Sequence, residues 1–529
     1  MKVLLLSMPD SFEHMPPVAI RMPNGALASL AGNLDGHHRV AIADLILVQA
    51  SVRPTIERLV HEIEPDIVGL SVMTFQRRTA LETARFLRAL SPRTKIVVGG
   101  YDPSLASGAY EACDAIDFVV RGEGELTLRE LLRALEGGAD LSLIRGLSYR
   151  SSDGFVRNPD RPVIPLASTA LELPNRDARV LSGYTLLGRT VDVVETSRGC
   201  TYDCSFCSII EMRGRNFHPY VLDRVIADIA DARAHGAEAI FLVDDNITLN
   251  VARFEALCQA IIAAGFNDID YTVQAMTAPI AQHGARLAPL MKQAGFRYVF
   301  LGIENVVEDD LEFLRARSKN SQREKGRTVG NASIAAIEHL HAHGMYVVGG
   351  LIVGNPGDTQ ASVEANLAFA RRYVDWPYIQ HPTPYPGTPM TRDFEARDLI
   401  VDHDVSHYDG TTAVVRSEHL TAEEIEFLRW RADRWMKVGH MPAALAHSPA
   451  FVLRNSLKML GHTFAGSSLR SVFGLEDERV VFARYRQQRQ TERSAYRLDT
   501  VEPATPHTRL SDGRARVGNP RAAEPAEFH

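Results

Sequence analysis

Short β-branched runs alternate with amphipathic helical patterns in two separate series along this chain, and that alternation restricts it to parallel α/β sheets. The first series fills residues 1–140, with strand-like runs VLLL at 3–6, VAIADL at 40–45, DIVGLSV at 66–72, KIVVGG at 95–100 and AIDFVV at 115–120. A helical face such as Leu81, Ala84, Leu87 and Leu90 separates them. Units of this length predict a doubly wound, Rossmann- or flavodoxin-like sheet. The second series begins at VDVVET (191–196) and recurs at AIFLV (239–243), IDYTVQ (269–274), RYVFLGI (297–303), YVVGGLIV (346–353) and YIQHP (378–382). Six βα units over about 200 residues predict a (βα)6 partial TIM barrel, with chemistry on loops at the carboxyl ends of its strands.

The rest of the chain is read against these two series. Residues 141–187 look like a linker with a small hairpin, from LSYR and a Ser-Asp-Gly turn to a Pro-spaced extended stretch. The barrel is expected over 188–400 and a helical region over 401–495, where Thr421 can cap a helix with Glu424 at the box position. A disordered tail is expected over 496–529, because the 29 residues from Val501 carry four Pro and no apolar periodicity.

Composition narrows the function. A length of 529 residues implies two or more domains, and a net charge of −7 argues against a protein that coats nucleic acid. No apolar run reaches the ~20 residues of a membrane helix, and the opening MKVLLLSMP reads as a first strand, too short for a signal-peptide core. Five cysteines exclude a disulfide scaffold. Three of them crowd into eight positions, which points to metal or cofactor chemistry in a reducing, cytoplasmic setting.

Those three lie in ETSRGCTYDCSFCS, directly after a strand: Cys200, Cys204 and Cys207. Three thiolates on one tight loop can hold three irons of a four-iron, four-sulfur (4Fe-4S) cluster and leave the fourth iron open. A structural zinc site would want four closed ligands. The next Cys or His is His218, eleven residues on, and no second cysteine pair exists. Chance clustering in a loop is the other alternative, and the strand before and barrel pattern after speak against it. Cys113 and Cys258 read as small buried hydrophobes.

This loop resembles the signature of the radical S-adenosylmethionine (SAM) superfamily, including the aromatic before the last cysteine, Phe206. The resemblance runs over residues 185–400 and implies SAM as cofactor, held through several motifs in order. FLVDDNIT would bring Val243, Asp244 and Asp245 to the SAM amino group, and LGIENV would place Glu304 near the ribose or amine. Gln274 is a further contact, and GLIVGNPGDT, with Gly354, would shape the adenine pocket. Asp244 and Asp245 could instead be helix-capping acids, and Gly354 to Gly357 a plain turn. His381 and Tyr385, at the end of the sixth strand by TPYPGTPM, could touch substrate as catalytic residues or could be packing residues.

The first domain resembles the cobalamin-binding domain fused to one branch of that superfamily. SVMTF, VGGYDPS and VRGEGELTLREL carry the likeness, which implies cobalamin contacts at Ser71, Thr74, Gly99, Gly100, Tyr101, Pro103, Gly122, Glu123, Gly124 and Glu125. Ordinary βα turns in a flavodoxin-like sheet are the alternative. The chain departs from the Asp-x-His-x-x-Gly pattern whose His ligates cobalt: its closest string, from Asp35 to Val40, ends in Val. His37 and His38 therefore read as solvated loop residues, and no protein imidazole is expected on cobalt.

The resemblance implies an electron passed through the cluster to SAM, supplied by an external flavodoxin- or ferredoxin-type donor. A radical then acts on an unactivated carbon of a small-molecule or lipid-like substrate. Methyl transfer from cobalamin is the expected outcome, with a non-methylating, anaerobic cyclase-like reaction as the alternative. An iron–sulfur electron carrier or scaffold is the alternative from another class, although such carriers normally close the site with a fourth thiolate. Between Arg479 and Arg497 stand six Arg and one acid, read as a solvated helix or as a peripheral membrane contact.

Overall fold

The computed structural model describes residues 1–11, 18–167, 171–324, 327–472, 474–494 and 498. It is an α/β protein built on two sheets, each carrying a parallel core. The first contains β1 (Lys2–Ser7), β2 (Arg39–Asp44), β3 (Ile67–Ser71), β4 (Lys95–Gly99) and β5 (Phe118–Val120) in spatial order β2-β1-β3-β4-β5. Helices α1 (Gly25–Gly32), α2 (Val52–Ile63), α3 (Arg77–Leu90) and α4 (Gly124–Gly137) make the crossovers. Val3 and Leu5 join a core with α1 and α4, whereas Leu4 and Leu6 join one with α2 and α3. Alternate residues of one strand thus supply opposite faces, as a doubly covered parallel sheet requires.

The second sheet is the half-barrel. Its strands β8 (Arg189–Val194), β9 (Ala239–Leu242), β10 (Asp270–Met276), β11 (Phe296–Glu304), β12 (Tyr346–Ile352) and β13 (Trp376–Gln380) are parallel neighbours in chain order. Around them run α5 (Ser208–Arg213), α6 (Leu222–Ala234), α7 (Val251–Ala263), α8 (Thr277–Gln293), α9 (Ser333–Ala342) and α10 (Gln360–Tyr373). A fully buried core from Val225, Ile229, Leu257, Ile261, Leu287, Ile337 and Leu340 seats these helices on the strands.

The segment read as a linker is structural. Its hairpin, β6 (Leu147–Ser151) and β7 (Gly154–Arg157), extends the first sheet antiparallel to β5. Thr185–Leu186 then pairs antiparallel with β8 and with Ile20–Arg21, which adds two short strands to the barrel edge. Arg176, 1% exposed, binds Asp192 at 2.9 Å and Asp228 and Asp231 at 2.7 Å each, pinning this stretch to β8 and α6.

The helical C-terminal region comprises α11 (Ala422–Gly439), α12 (Met441–His447), α13 (Pro449–Thr463) and α14 (Glu478–Ser494). The Thr421–Glu424 capping box forms as expected. One face of the basic α14 is packed and the other is exposed, which narrows the reading of a solvated helix. Val481 and Phe482 are buried against Phe427 and Trp430, Arg479 lies 3.8 Å from the Phe427 ring centre, and Arg489 donates to Thr411 at 2.6 Å. Residues 496, 497 and 499–529 of the expected tail lie outside the described residues, while Leu498 is buried in the first domain's core. No described helix is long and apolar enough to cross a membrane.

Candidate active site between the two sheets

The cysteine loop leaves β8 and is clamped from β9. Asp244 accepts the Thr196 amide at 2.7 Å, the Thr196 hydroxyl at 2.6 Å and the Ser197 hydroxyl at 2.5 Å. Burial pushes its carboxyl up to about 6 against those three bonds. Asp245 accepts the Gly199 amide at 2.7 Å. Gly199 has φ +91°, and a Cβ there would fall 2.5 Å from the Asn216 carbonyl oxygen, so only glycine fits this turn. Asp244 is therefore turned into the loop as a brace, where a contact with SAM was expected.

Cys204 is buried and Cys200 and Cys207 half-buried, all as free thiols. Burial pushes the Cys207 thiol up to about 12, so iron would have to displace its proton on binding. One tetrahedral zinc would draw its thiolate sulfurs within about 4 Å of one another. Among the described residues, the potential ligand trio that lies within 4.8 Å of one another is His37, His38 and Glu136 rather than the three cysteines. A donor set of three spread thiols fits a multi-iron cluster better than a single ion.

Around this loop stand the other barrel residues. Phe206 packs on a small core that includes Met390 and Phe394. Glu304 sits at a bulge in β11 with φ +63°, a left-handed backbone that a non-glycine residue rarely adopts. Its carboxylate binds the Lys319 ammonium at 2.5 Å, and that ammonium lies 5.5 Å from the Phe206 ring centre. Lys319 is buried and opposes the upward push of burial on Cys204. Sequence reasoning missed Lys319 because it lies in no strand-end motif. It also missed Asn246, whose side-chain amide is 3.7 Å from the Cys200 sulfur and 3.2 Å from that of Met276. Gln274 lies half-buried on β10, and the amide of Gly354 is held by Asp358 at 2.7 Å.

A cavity of about 440 Å³ opens between the sheets. Ser71, Gly99, Gly100, Tyr101, Gly122, Glu123, Gly124 and Glu125 line it from the first domain, at the carboxyl ends of β3, β4 and β5. Val243, Glu195, Arg198 and Arg213 line it from the barrel. Thr74 and Pro103 are buried behind this lip rather than on it. Gly100 has φ +109°, and a Cβ would meet the Val72 carbonyl oxygen at 2.7 Å. Arg198 crosses the seam to Glu125 at 2.6 Å. Burial would raise the Glu125 carboxyl, yet Arg198 and its hydrogen bonds hold it at about 2. Both Glu123 oxygens, and Nε and one terminal nitrogen of Arg213, are buried without a hydrogen-bond partner. Glu123 meets Arg213 and Arg198 only as loose ion pairs at 3.7 Å, so these unfilled donors and acceptors on the cavity wall are fit partners for a large ligand rich in amides, such as a corrin.

The anticipated catalytic pair reads differently in place. His381 is 2% exposed, its Nδ1 faces the Val353 carbonyl at 3.1 Å and its Nε2 accepts from Arg429 at 3.1 Å. Burial, with Arg429 beside it, pulls its pKa down to about 3, so it is a neutral bridge between β13 and α11. The Tyr385 hydroxyl donates to the Tyr408 carbonyl at 3.3 Å. His38 is buried, with no side-chain exposure, which corrects its reading as solvated; His37 is exposed and meets Glu136 at 2.9 Å. Both lie at the amino end of β2, and neither lines the cavity.

A half-barrel with a three-thiol loop, facing a sheet whose strand ends form a glycine-rich lip, defines a cobalamin-platform radical SAM enzyme. Family models agree: a B12 binding domain matches residues 15–132 and the Radical SAM superfamily matches residues 194–370. An uncharacterised methyltransferase of Pyrococcus horikoshii is 31% identical over 82% of this chain and 91% of its own length. The chain belongs to the cobalamin-binding radical SAM family, whose cofactors are a 4Fe-4S cluster, SAM and cobalamin. An anaerobic magnesium-protoporphyrin IX monomethyl ester cyclase of Synechocystis is 29% identical over 61% of this chain and 64% of its own length. The fold is also that of the radical SAM methyltransferase TsrM from Kitasatospora setae, solved with cobalamin and a 4Fe-4S cluster. That likeness has a TM-score of 0.59 at 21% identity and covers 75% of this chain and 78% of the other.

Proposed function

We propose that this enzyme transfers a methyl group to an unactivated carbon of a small-molecule or lipid-like substrate. The observation that carries the reading is the single cavity walled by both the glycine lip of the first domain and the cluster-bearing barrel. Cys200, Cys204 and Cys207 would hold the cluster, and Phe206, Val243, Asp245, Gln274, Glu304 and Gly354 would frame SAM. Ser71, Gly99, Gly100, Tyr101 and Gly122 to Glu125 would receive cobalamin, joined from the barrel by Arg213. When bound, cluster and SAM supply a one-electron route to a carbon radical, and cobalamin supplies a transferable methyl group. The chain's own part is to orient and to exclude water. The Arg198–Glu125 bridge fixes the two walls relative to one another, Asp244 and Asp245 hold the cluster loop, and Lys319 neutralises Glu304 beside it. An external flavodoxin- or ferredoxin-type protein would deliver the electrons.

SAM carrying a deuterated methyl group is the test. Labelled product, with S-adenosylhomocysteine and 5'-deoxyadenosine formed in equal amounts, is the expected result. Unlabelled product with 5'-deoxyadenosine alone would replace methyl transfer by a cyclase-like reaction, the reading that the Synechocystis relative favours.

A further inference from the structure

Helices α12 and α13 close the amino-terminal end of the half-barrel. Phe451, Val452 and Met459 are buried there in one cluster with Tyr346 and Trp376, and the Ser448 hydroxyl meets the Tyr298 hydroxyl at 2.7 Å. A helix seated this way ordinarily shows water a polar outer face. The outer face of α13 is instead apolar: Leu453 is 71% exposed, Leu457 84% and Leu460 38%. Their spacing of four and then three residues sets them in one stripe. Trp435 of α11, 49% exposed, continues the surface through an edge-on contact with the Phe464 ring, 5.8 Å between centres. Six of the fifteen exposed large apolar side chains among the described residues fall between Trp435 and Leu460, so this is a patch rather than scatter.

Charge says what covers it. Residues 441–475 contain no Asp or Glu. Arg454 and Lys458, both exposed, flank the leucine stripe on the same helix. We propose that this face docks on the surface of a lipid bilayer carrying anionic headgroups. Leucines and a tryptophan would enter the interfacial layer while the two cations meet the headgroups. A second copy of the chain is the poorer occupant, because a two-fold contact through this face would bring two basic helices, with no acid in residues 441–475, against one another. The membrane contact expected of the basic α14 thus moves to a neighbouring helix, since Arg484, Arg486 and Arg489 of α14 already meet acidic partners within the chain. Docking by this end keeps the inter-domain cavity, at the opposite ends of the barrel strands, off the bilayer. The surface therefore localises the enzyme without itself delivering a lipid to the cavity.

Co-sedimentation of the full chain with vesicles of phosphatidylglycerol and phosphatidylcholine, against phosphatidylcholine alone, tests this. The expected result is partitioning roughly tenfold stronger onto the anionic vesicles, weakened by added salt. The double variants Leu453→Gln/Leu457→Gln and Arg454→Glu/Lys458→Glu should each lower it roughly tenfold. These side chains are exposed, so unchanged circular dichroism and unchanged iron content after reconstitution would show that the fold survives. Equal partitioning of the parent and both variants would overturn the proposal. So would light scattering that finds a dimer dissolved by Leu453→Gln/Leu457→Gln, with no vesicle binding by the parent.

Discussion

The first domain and the half-barrel face one cavity with different materials. The first domain's lip is built on glycine: Gly99, Gly100, Gly122 and Gly124 bring main chain to the surface, and the carboxylates between and beside them, Glu123 and Glu125, turn toward arginines of the barrel. The barrel works through side chains: Glu195, Arg198 and Arg213 on the cavity wall, and three thiols, the Asp244 and Asp245 braces and the Glu304–Lys319 pair elsewhere around its cysteine loop. A bulky ligand that brings its own reactive metal needs shape and room, which glycine supplies. A cluster assembled on the protein needs ligands, which only particular side chains supply. The contrast predicts that single substitutions should be sharply selective in the barrel and should act through strain in the first domain.

The largest effect belongs to the thiols. Cys200→Ala, Cys204→Ala and Cys207→Ala should each abolish SAM cleavage and reduce bound iron well below the ~four per chain of the cluster. Cys113→Ala and Cys258→Ala should retain both, because these cysteines are buried in the helix-packing cores of the first domain and the barrel. Iron content and 5'-deoxyadenosine release check this, and an essential Cys113 or Cys258 would bring in a fourth thiolate and break the contrast.

Next comes the lip. Gly100→Ala forces a Cβ onto the Val72 carbonyl at 2.7 Å, in an extended positive-φ region (φ +109°, ψ −168°) that is essentially glycine's alone and costs a side chain about 1–3 kcal/mol. It should weaken cobalamin binding roughly tenfold or more while leaving the cluster's iron and its paramagnetic resonance unchanged. Loss of both would mean that the two walls form one cooperative unit, locked by Arg198–Glu125. Breaking that buried pair by removing one partner typically costs about 3–5 kcal/mol.

The same contrast explains what could be read from sequence. Strand periodicity gave all eleven parallel strands, because burial on both faces writes continuous apolar runs such as VLLL and KIVVGG. The cysteine spacing is chemistry written in consecutive residues, so the cluster loop was legible too. Contacts made by distant segments were not. Lys319 reaches Glu304 from outside every motif, and Arg176 turns a supposed linker into a clamp through three aspartates on two other elements. His38 looked solvated beside His37, yet alternate residues entering a strand face opposite sides. The arginines of α14 read as a charged surface, yet Arg479 lies over the Phe427 ring and Arg489 is buried against Asp409.

The smallest expected effect separates reactive side chains in the barrel from merely buried ones. His381 stands at the carboxyl end of β13, where a catalytic group would be sought, yet it is neutral and bonded through both ring nitrogens. Its pKa is about 3 in the folded chain against 6.5 for a free imidazole. Between those values the unfolded chain binds a proton that the folded chain does not, so stability falls as pH falls. The contribution is fully present above pH 6.5 and is lost progressively as pH drops toward 3. At a pH about one and a half units below the unfolded pKa, the loss is on the order of 2 kcal/mol, at 1.36 kcal/mol per unit. His381→Asn keeps a polar group between Val353 and Arg429 but cannot titrate, so its unfolding free energy should be flatter than the parent's over this window. Denaturant unfolding of both proteins, followed from neutral pH downward, measures the difference. Parallel profiles would mean that the folded imidazole is protonated far more readily than its burial allows, and His381 would return as a proton carrier beside the barrel mouth.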